Sequence, residues 1–297
     1  AIMTNKETPY LMKGAKPPTS NSSILLSSSR YMNDPRLREA IALRMLGKNG
    51  RDLPSTYTLP ALFQALSENE DYEELFTLFA QERAQNKVFD AWMSEGFLST
   101  MSRDDFRDFA PGTVGRIYYE YLHDRDFEPN IVAFKQPENE MEYWVIRASQ
   151  IHDVFEHILA GAPFDVINEM VPTSMKLTNA HKHLSSGLAG KLTIINSILT
   201  TGQINRATLH YPACVPALLE RLERGLMIGR SSDAYFMMKY EDILHLSVDE
   251  ARKVIGMNNT LEVDYGELSD ILTEGAYGDD IAAMEKRRAE RLAAEAA

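Results

Sequence analysis

Apolar residues recur at every third and fourth position through most of this chain, and the period-two alternation of strands is scarce. Leu59, Leu62, Phe63 and Leu66 follow helical spacing, as do Leu75, Leu78 and Phe79, and again Leu218, Leu219, Leu222 and Leu226. Such spacing lays one apolar stripe along a helix, and that stripe is buried by packing helix against helix. Turn residues punctuate the pattern at Gly47-Lys48-Asn49-Gly50, Pro111-Gly112, Gly161-Ala162-Pro163 and Gly229-Arg230. The expectation is an all-α fold, with Ile131-Val132-Ala133-Phe134 as a short strand or simply extended chain.

The two ends differ from this body. Residues 1–30 carry Lys16-Pro17-Pro18 and serine-rich stretches, which suit a flexible segment because small polar residues and prolines sustain no packed face. Residues 258–297 form an extension whose last part, from Asp279, is rich in Ala, Glu, Arg and Lys. Its apolar positions Ile281, Met284 and Leu292 are sparse, so it reads as a charged, solvated helix. Residues 31–257 are expected to form one helical domain.

Composition narrows the function classes. With 43 acidic residues against 31 basic ones, the chain lacks the cationic footprint of a general nucleic-acid binder. No apolar run approaches ~18 residues, so no transmembrane helix is expected. The first residues also lack a basic-then-apolar secretory pattern. The expected place is the cytoplasm, with peripheral contact at the inner face of a membrane as an alternative. Cys214 is the single cysteine, which excludes an internal disulfide framework and a thiolate zinc finger. It lies between Pro212 and Pro216 with no base nearby in sequence, so a nucleophilic role has no support.

Chemistry concentrates in Ile151-His152-Asp153-Val154-Phe155-Glu156-His157-Ile158-Leu159. On an α-helix His152 and Glu156 lie one turn apart, as do Asp153 and His157. Val154, Phe155, Ile158 and Leu159 bury that helix, so its charges need partners, either a metal ion or an internal salt-bridge network. Gly161 and Pro163 then stop the helix. Asp165 is placed to cap the next one, which would carry Glu169 in its early turns and return it toward His157. Imidazole and carboxylate donors without thiolate suit zinc, iron, manganese or cobalt.

A second segment runs Pro111-Gly112-Thr113-Val114-Gly115-Arg116-Ile117-Tyr118-Tyr119. Thr113 can cap a helix there, and Arg116 beside the helix start is a candidate for an anionic head group. The alternative is a tyrosine-rich packing helix. His181, His183 and His210 read as helical or helix-end residues on polar surface.

Taken together and in order, these residues resemble the Coq-four family of ubiquinone (coenzyme Q) biosynthesis proteins. The likeness runs through Pro111-Gly112-Thr113, Gly115-Arg116, Tyr118, Tyr143, Arg147, His152-Asp153, His157, Gly161, Pro163 and Glu169. It continues through Gly225, Gly229-Arg230, Lys239-Tyr240-Glu241-Asp242, Glu250 and Arg252. The resemblance implies an all-helical protein with a His-Asp-x-x-His…Glu metal motif that handles polyprenylated lipids. It implies metal ligands His152, Asp153, His157 and Glu169 for a divalent ion such as zinc, iron or cobalt. The implied activity is removal of the ring C1 carboxyl of a ubiquinone precursor, with hydroxylation there.

This chain departs from the family at the motif itself. Three residues, Val154, Phe155 and Glu156, separate Asp153 from His157 where the family has two. The eleven-residue spacer from His157 to Glu169 is kept, so the insertion falls before His157. A π-bulge can absorb one extra residue and leave the four ligands in place. Otherwise Glu156 takes the second histidine's place, one turn after His152. The family often has a lysine one turn after the glutamate; here Thr173 follows Pro172.

The substrate-binding candidates implied are Arg116, Tyr118 and Arg147, the last for a departing carboxylate or else for an ion pair with Glu140 or Glu142. The fourteen methionines, among them Met227, Met237 and Met238, are candidates to line an isoprenoid tunnel, although core packing suits most of them. The expected partners are a polyprenylated quinone precursor or another hydrophobic small molecule, a biosynthetic complex and a second copy of the chain. Two other readings stay open: a non-catalytic lipid-binding scaffold, and a diverged metalloenzyme for another hydrophobic substrate.

Overall fold

The helical runs of the sequence become helices in the computed structural model, which describes residues 29–46, 59–129, 135–261 and, near the C-terminus, 286–287, 289–290 and 292–295. The helices are α1 (Arg30–Asn33), α2 (Pro35–Leu46), α3 (Leu59–Glu68), α4 (Tyr72–Gln85), α5 (Lys87–Glu95) and α6 (Val114–Arg125). After them come α7 (Glu140–Gln150), a π-helix (His152–Leu159), α8 (Met170–His183), α9 (Ser186–His210), α10 (Val215–Ser231) and α11 (Val248–Val254). Among the described residues there is no strand, only one antiparallel bridge between Thr113 and Ser247. Residues 1–28 and Ile131 to Phe134 lie outside the described residues.

Local signals set the helix ends. Asp71 accepts the Glu74 N–H at the start of α4, Asn86 that of Phe89 before α5, and Thr113 that of Arg116 before α6. Asn139 does the same for Glu142 at the start of α7. Within α3, Leu62 and Leu66 are buried as their spacing requires, while Phe63 stays exposed. In α10, Leu218 is buried and Leu219 exposed.

The main core joins Leu75 and Phe79 of α4, Phe89 and Trp92 of α5, Tyr118 and Leu122 of α6, and Val154 and Phe155 of the π-helix. Fully burying one such side chain contributes about 1.5–3 kcal/mol. A separate cluster holds α2 and α3 through Leu37, Ala40, Leu62 and Leu66, with Ile194 and Ile198 of α9 against it.

One interface sets the depth of the site. A Cβ at Gly225 would overlap the Ser174 hydroxyl and the Val171 carbonyl, and one at Gly229 the Met175 carbonyl and the Thr178 hydroxyl. These glycines, one turn apart, let α10 lie almost backbone to backbone on α8. Thr178 Oγ1 reinforces the crossing by donating to the Leu226 carbonyl at 2.9 Å.

The described C-terminal residues are helical, but they are not simply solvated. Arg287 Nε donates to the Asp124 carbonyl at 2.9 Å, and Glu295 pairs with Arg116. This segment therefore rests on α6. No helix among the described residues is long and apolar enough to cross a membrane.

Candidate metal centre

The inserted residue widens the helix. The Ala160 N–H bonds the Phe155 carbonyl at 3.2 Å and the Ala162 N–H the His157 carbonyl at 3.0 Å, both five residues back. In an α-helix, residues five apart point about 140° away from each other. The wider π-turn closes that angle, and the rings of His152 and His157 meet with centroids 4.8 Å apart. Gly161 then reverses the chain at φ +75°. A Cβ there would run into the Leu261 carbonyl, whose own N–H bonds the Ala160 carbonyl at 2.8 Å. Arg252 Nε caps the same turn on the Leu159 carbonyl at 2.8 Å.

Glu169 is the residue immediately before α8 and serves as its N-cap position. The sequence placed Asp165 there. It instead takes the Asn168 N–H at 2.9 Å and shapes the turn that delivers Glu169.

His157 Nε2 lies 3.2 Å from Glu169 Oε1, and His152 Nε2 lies 3.8 Å from Glu169 Oε2. One donor atom from each of the three falls within 4.8 Å of the others. The far nitrogens are already engaged. His157 Nδ1 donates to the Ala162 carbonyl at 3.1 Å and His152 Nδ1 to Glu156 Oε2 at 2.8 Å, which leaves each Nε2 lone pair aimed at the cluster. His157 Nε2 is buried and makes no hydrogen bond of sound geometry. Two neutral imidazole nitrogens and a carboxylate form a donor set that fits a divalent ion of the zinc, iron or cobalt type.

The electrostatics agree with this geometry. Burial alone would raise the Glu169 carboxyl, but the charges of His157, His152 and Lys176 outweigh it and hold the group at about 2. Burial would likewise depress His157, yet the Glu169 carboxylate raises it above the usual imidazole value. Glu169 keeps 45% of its side-chain surface, so the cluster is open to solvent on the Glu169 side.

Glu156 stands behind this cluster, not in it. It is fully buried and receives His152 Nδ1, Lys176 Nζ at 2.8 Å and the Tyr235 hydroxyl at 3.2 Å. Burial pushes its carboxyl up, but Lys176 and His152 bring it below the usual range.

Asp153, expected as a ligand by resemblance, also stands outside the group of three. Its Oδ2 accepts the Tyr118 hydroxyl at 3.1 Å, and burial raises its carboxyl despite both histidine charges. On the other side, Phe164 stacks on His157 at 4.5 Å and Tyr121 on Phe164 at 3.5 Å, with Arg125 over Tyr121 at 4.5 Å.

The substrate-binding candidates are engaged elsewhere. Tyr118 is buried and holds Asp153. Arg147 is buried and paired with Glu241 through both guanidinium ends at 3.1 Å, with the Met238 carbonyl at 3.0 Å, so its partner is neither Glu140 nor Glu142. Arg116 pairs with Glu120 at 3.0 Å and with Glu295. Met237 and Met238 pack partly buried on the main core, and Met227 is exposed. His183 and His210 contact the carbonyls of Ser232 and Met45, and burial raises the Cys214 thiol.

Sequence reasoning missed Lys176, Tyr235 and the Ala162 carbonyl. Lys176 does lie two turns beyond Glu169 on the same helix, a spacing that places it on the Glu169 side. Tyr235 and Ala162 carry no such signal.

Comparison with known proteins gives a consistent picture. The family model described as "Coenzyme Q (ubiquinone) biosynthesis protein Coq4" matches residues 98–260. The mitochondrial ubiquinone biosynthesis protein COQ4 of Ajellomyces capsulatus is 26% identical over 191 residues, which are 64% of this chain and 63% of that relative. The match thus spans less than two thirds of the relative's length. A crystal structure from Nostoc punctiforme, presented as that of a candidate ubiquinone biosynthesis protein, shares the fold with a TM-score of 0.57. It is 18% identical, and the match covers 76% of this chain and 99% of that one.

Proposed function

Because the chain belongs to the family of coenzyme Q (ubiquinone) biosynthesis proteins Coq4, we propose that it is a metal-dependent enzyme acting on a polyprenylated aromatic precursor of a ubiquinone-type lipid. His152, His157 and Glu169 are the ligands of a divalent zinc, iron or cobalt ion. The observation that carries this reading is the buried, unbonded Nε2 of His157 facing Glu169 at 3.2 Å. A buried polar atom that makes no hydrogen bond is rare in a folded protein, and a metal ion shared with Glu169 would satisfy this one.

When bound, such an ion supplies Lewis acidity to an oxygen of the substrate or of a water. The chain's own residues do the rest. Glu156 and the Ala162 carbonyl hold the Nδ1 protons, so both Nε2 lone pairs stay presented. Tyr118 occupies Asp153 Oδ2, and the raised carboxyl makes Oδ1 the atom suited to take up and return a proton. Phe164, backed by Tyr121, covers one face of His157 and keeps water from it. The reaction we assign, on the strength of the family resemblance, is oxidative loss of the ring C1 carboxyl. The bond from C1 to the carboxyl breaks, carbon dioxide leaves, a hydroxyl is bound at C1, and the two electrons released pass to an added two-electron oxidant such as dioxygen. Work within a biosynthetic complex, as a homo-oligomer with peripheral membrane contact, belongs to the same reading.

Metal analysis of the purified full chain tests it. About one ion per chain is expected in the wild type, with His157→Ala and Glu169→Ala retaining less than about a tenth of it. A wild type that neither carries nor can be loaded with metal sinks the metalloenzyme. Mass spectrometry of extracted lipid and of a prenylated hydroxybenzoate incubated with the loaded protein tests substrate and reaction. Binding without turnover assigns the scaffold role instead.

A further inference from the structure

The turn from the π-helix to α8 carries one aromatic side chain, Phe164, and two other rings hold it. The Tyr121 ring lies 3.5 Å from it, centroid to centroid, with the planes 15° apart. The His157 ring lies 4.5 Å away, with the planes 23° apart. Two near-parallel rings at these distances would collide if they shared one face of Phe164, so Tyr121 covers one face and His157 the other. Aromatic pairs commonly sit about 4.5–7 Å apart, so this is a close stack of phenol, benzene and imidazole. The Arg125 guanidinium flanks it, 4.5 Å from the centre of Tyr121 and 5.8 Å from that of Phe164.

The walls of this slot and its filling are held differently. Tyr121 belongs to α6, whose neighbouring residues Tyr118 and Leu122 are buried in the main core. His157 belongs to the π-helix, and its Nδ1 is fixed on the Ala162 carbonyl at 3.1 Å. Phe164 lies in neither helix and is only partly buried. Its predecessor Pro163 has no N–H to give, and the turn is held instead by the Asp165 N–H on the Pro163 carbonyl at 3.0 Å. A change of side-chain rotamer therefore takes the Phe164 ring out of the slot and leaves the turn in place. The slot is then one ring thick between two aromatic faces. One of its walls is the imidazole whose Nε2 faces Glu169 at 3.2 Å. A saturated ring, puckered and without a π face, fits such walls poorly.

We propose that this slot binds the aromatic ring of the ligand, and that Phe164 is a placeholder which that ring displaces. The arriving ring stacks between Tyr121 and His157, lies against the metal cluster and covers His157 as Phe164 did. The slot's place in catalysis rests on the metalloenzyme reading above; capture of the ring needs no metal.

The test is titration of the chelator-stripped full chain with a prenylated hydroxybenzoate, read by calorimetry and by fluorine NMR of protein carrying para-fluorophenylalanine. The Phe164 resonance is assigned by its loss in Phe164→Leu. It is expected to move from a ring-shielded to a solvent-like position as the ligand binds. Tyr121→Leu removes one wall and weakens binding about threefold to tenfold, whereas Tyr121→Phe keeps the wall and the affinity. Phe164→Leu binds about threefold or more tightly, because no stacked ring competes for the slot. The analogue with a saturated ring and the same carboxylate and prenyl chain binds about tenfold more weakly than the aromatic ligand. Should Tyr121→Leu fail to fold, the fluorine signal of the wild type decides. A Phe164 resonance that stays in place while the ligand saturates the protein overturns the proposal. Absence of binding to the stripped wild type, weaker binding by Phe164→Leu or equal affinity for the saturated analogue does the same. Binding with the Phe164 shift, in a protein that takes up no metal, upholds the slot and removes the metalloenzyme reading alone.

Discussion

Replacing Glu156 with glutamine changes one buried charge and almost no volume. The carboxylate is fully buried and receives His152 Nδ1 at 2.8 Å, Lys176 Nζ at 2.8 Å and the Tyr235 hydroxyl at 3.2 Å. Glutamine keeps one acceptor oxygen but turns an N–H₂ toward donors. Removing one partner of a buried ion pair costs about 3–5 kcal/mol, because the other charge is left uncompensated. The Lys176 side chain is 24% exposed and can turn partly to water, which favours the low end. A loss of about 3 kcal/mol lowers the melting temperature of a domain this size by roughly 6–12 °C. Metal affinity falls about tenfold to a hundredfold, as when the acceptor that orients a ligating histidine is lost.

The assays are thermal melting of the metal-free protein and metal titration of Glu156→Gln. The double variant Glu156→Gln/Lys176→Met recovers most of the lost stability, since no uncompensated charge remains. Unchanged melting and metal affinity in the single variant would refute the assigned role of Glu156. Complete loss of metal with Glu156→Gln but not with His157→Ala would refute the ligand register itself.

Four further outcomes follow from the geometry. Metal binding requires neutral His157, whose pKa Glu169 raises. Affinity measured by titration should therefore fall about tenfold per pH unit below that pKa, while Glu169 stays ionised until about 2. In the metal-free protein the sign reverses. The raised His157 contributes stability that is present below ~6.5 and lost as pH climbs through its folded pKa, so melting temperature drops on that climb unless His157→Gln has removed the effect. Gly229→Ala puts a methyl on the Met175 carbonyl and should cost at least about 3 kcal/mol by chemical denaturation, with Glu169 and Lys176 displaced and metal affinity reduced; a wild-type midpoint would refute the close crossing. Tyr118→Phe removes one hydrogen bond to Asp153 and should cost about 1–2 kcal/mol with metal stoichiometry intact. Loss of the metal there would bring Asp153 into the ligand set.

Much of this molecule is legible in the order of its residues, because the deciding physics is local. Helical spacing at Leu59–Leu66, Leu75–Phe79 and Leu218–Leu226 specifies which stripe is buried, although Phe63 and Leu219 end up exposed because their stripes are wider than the surface that covers them. The kept spacer from His157 to Glu169 locates the insertion, and a helix has few ways to house one extra residue, so a widened turn was foreseeable.

Tertiary contact decided the rest. Whether Glu156 or His157 faces Glu169 depended on Lys176 and Tyr235, which reach the site from α8 and from a later turn and neutralise Glu156 where it stands. The partner of Arg147 proved to be Glu241, 94 residues away, where the neighbouring Glu140 and Glu142 were the nearer choices in sequence. The seating of the Arg44 stem against Gly202 required α2 to be laid on α9. Spacing fixes which residues share a face of one helix. Only the packing of several helices determines which charges are buried together, and burial is what gives those charges their chemistry.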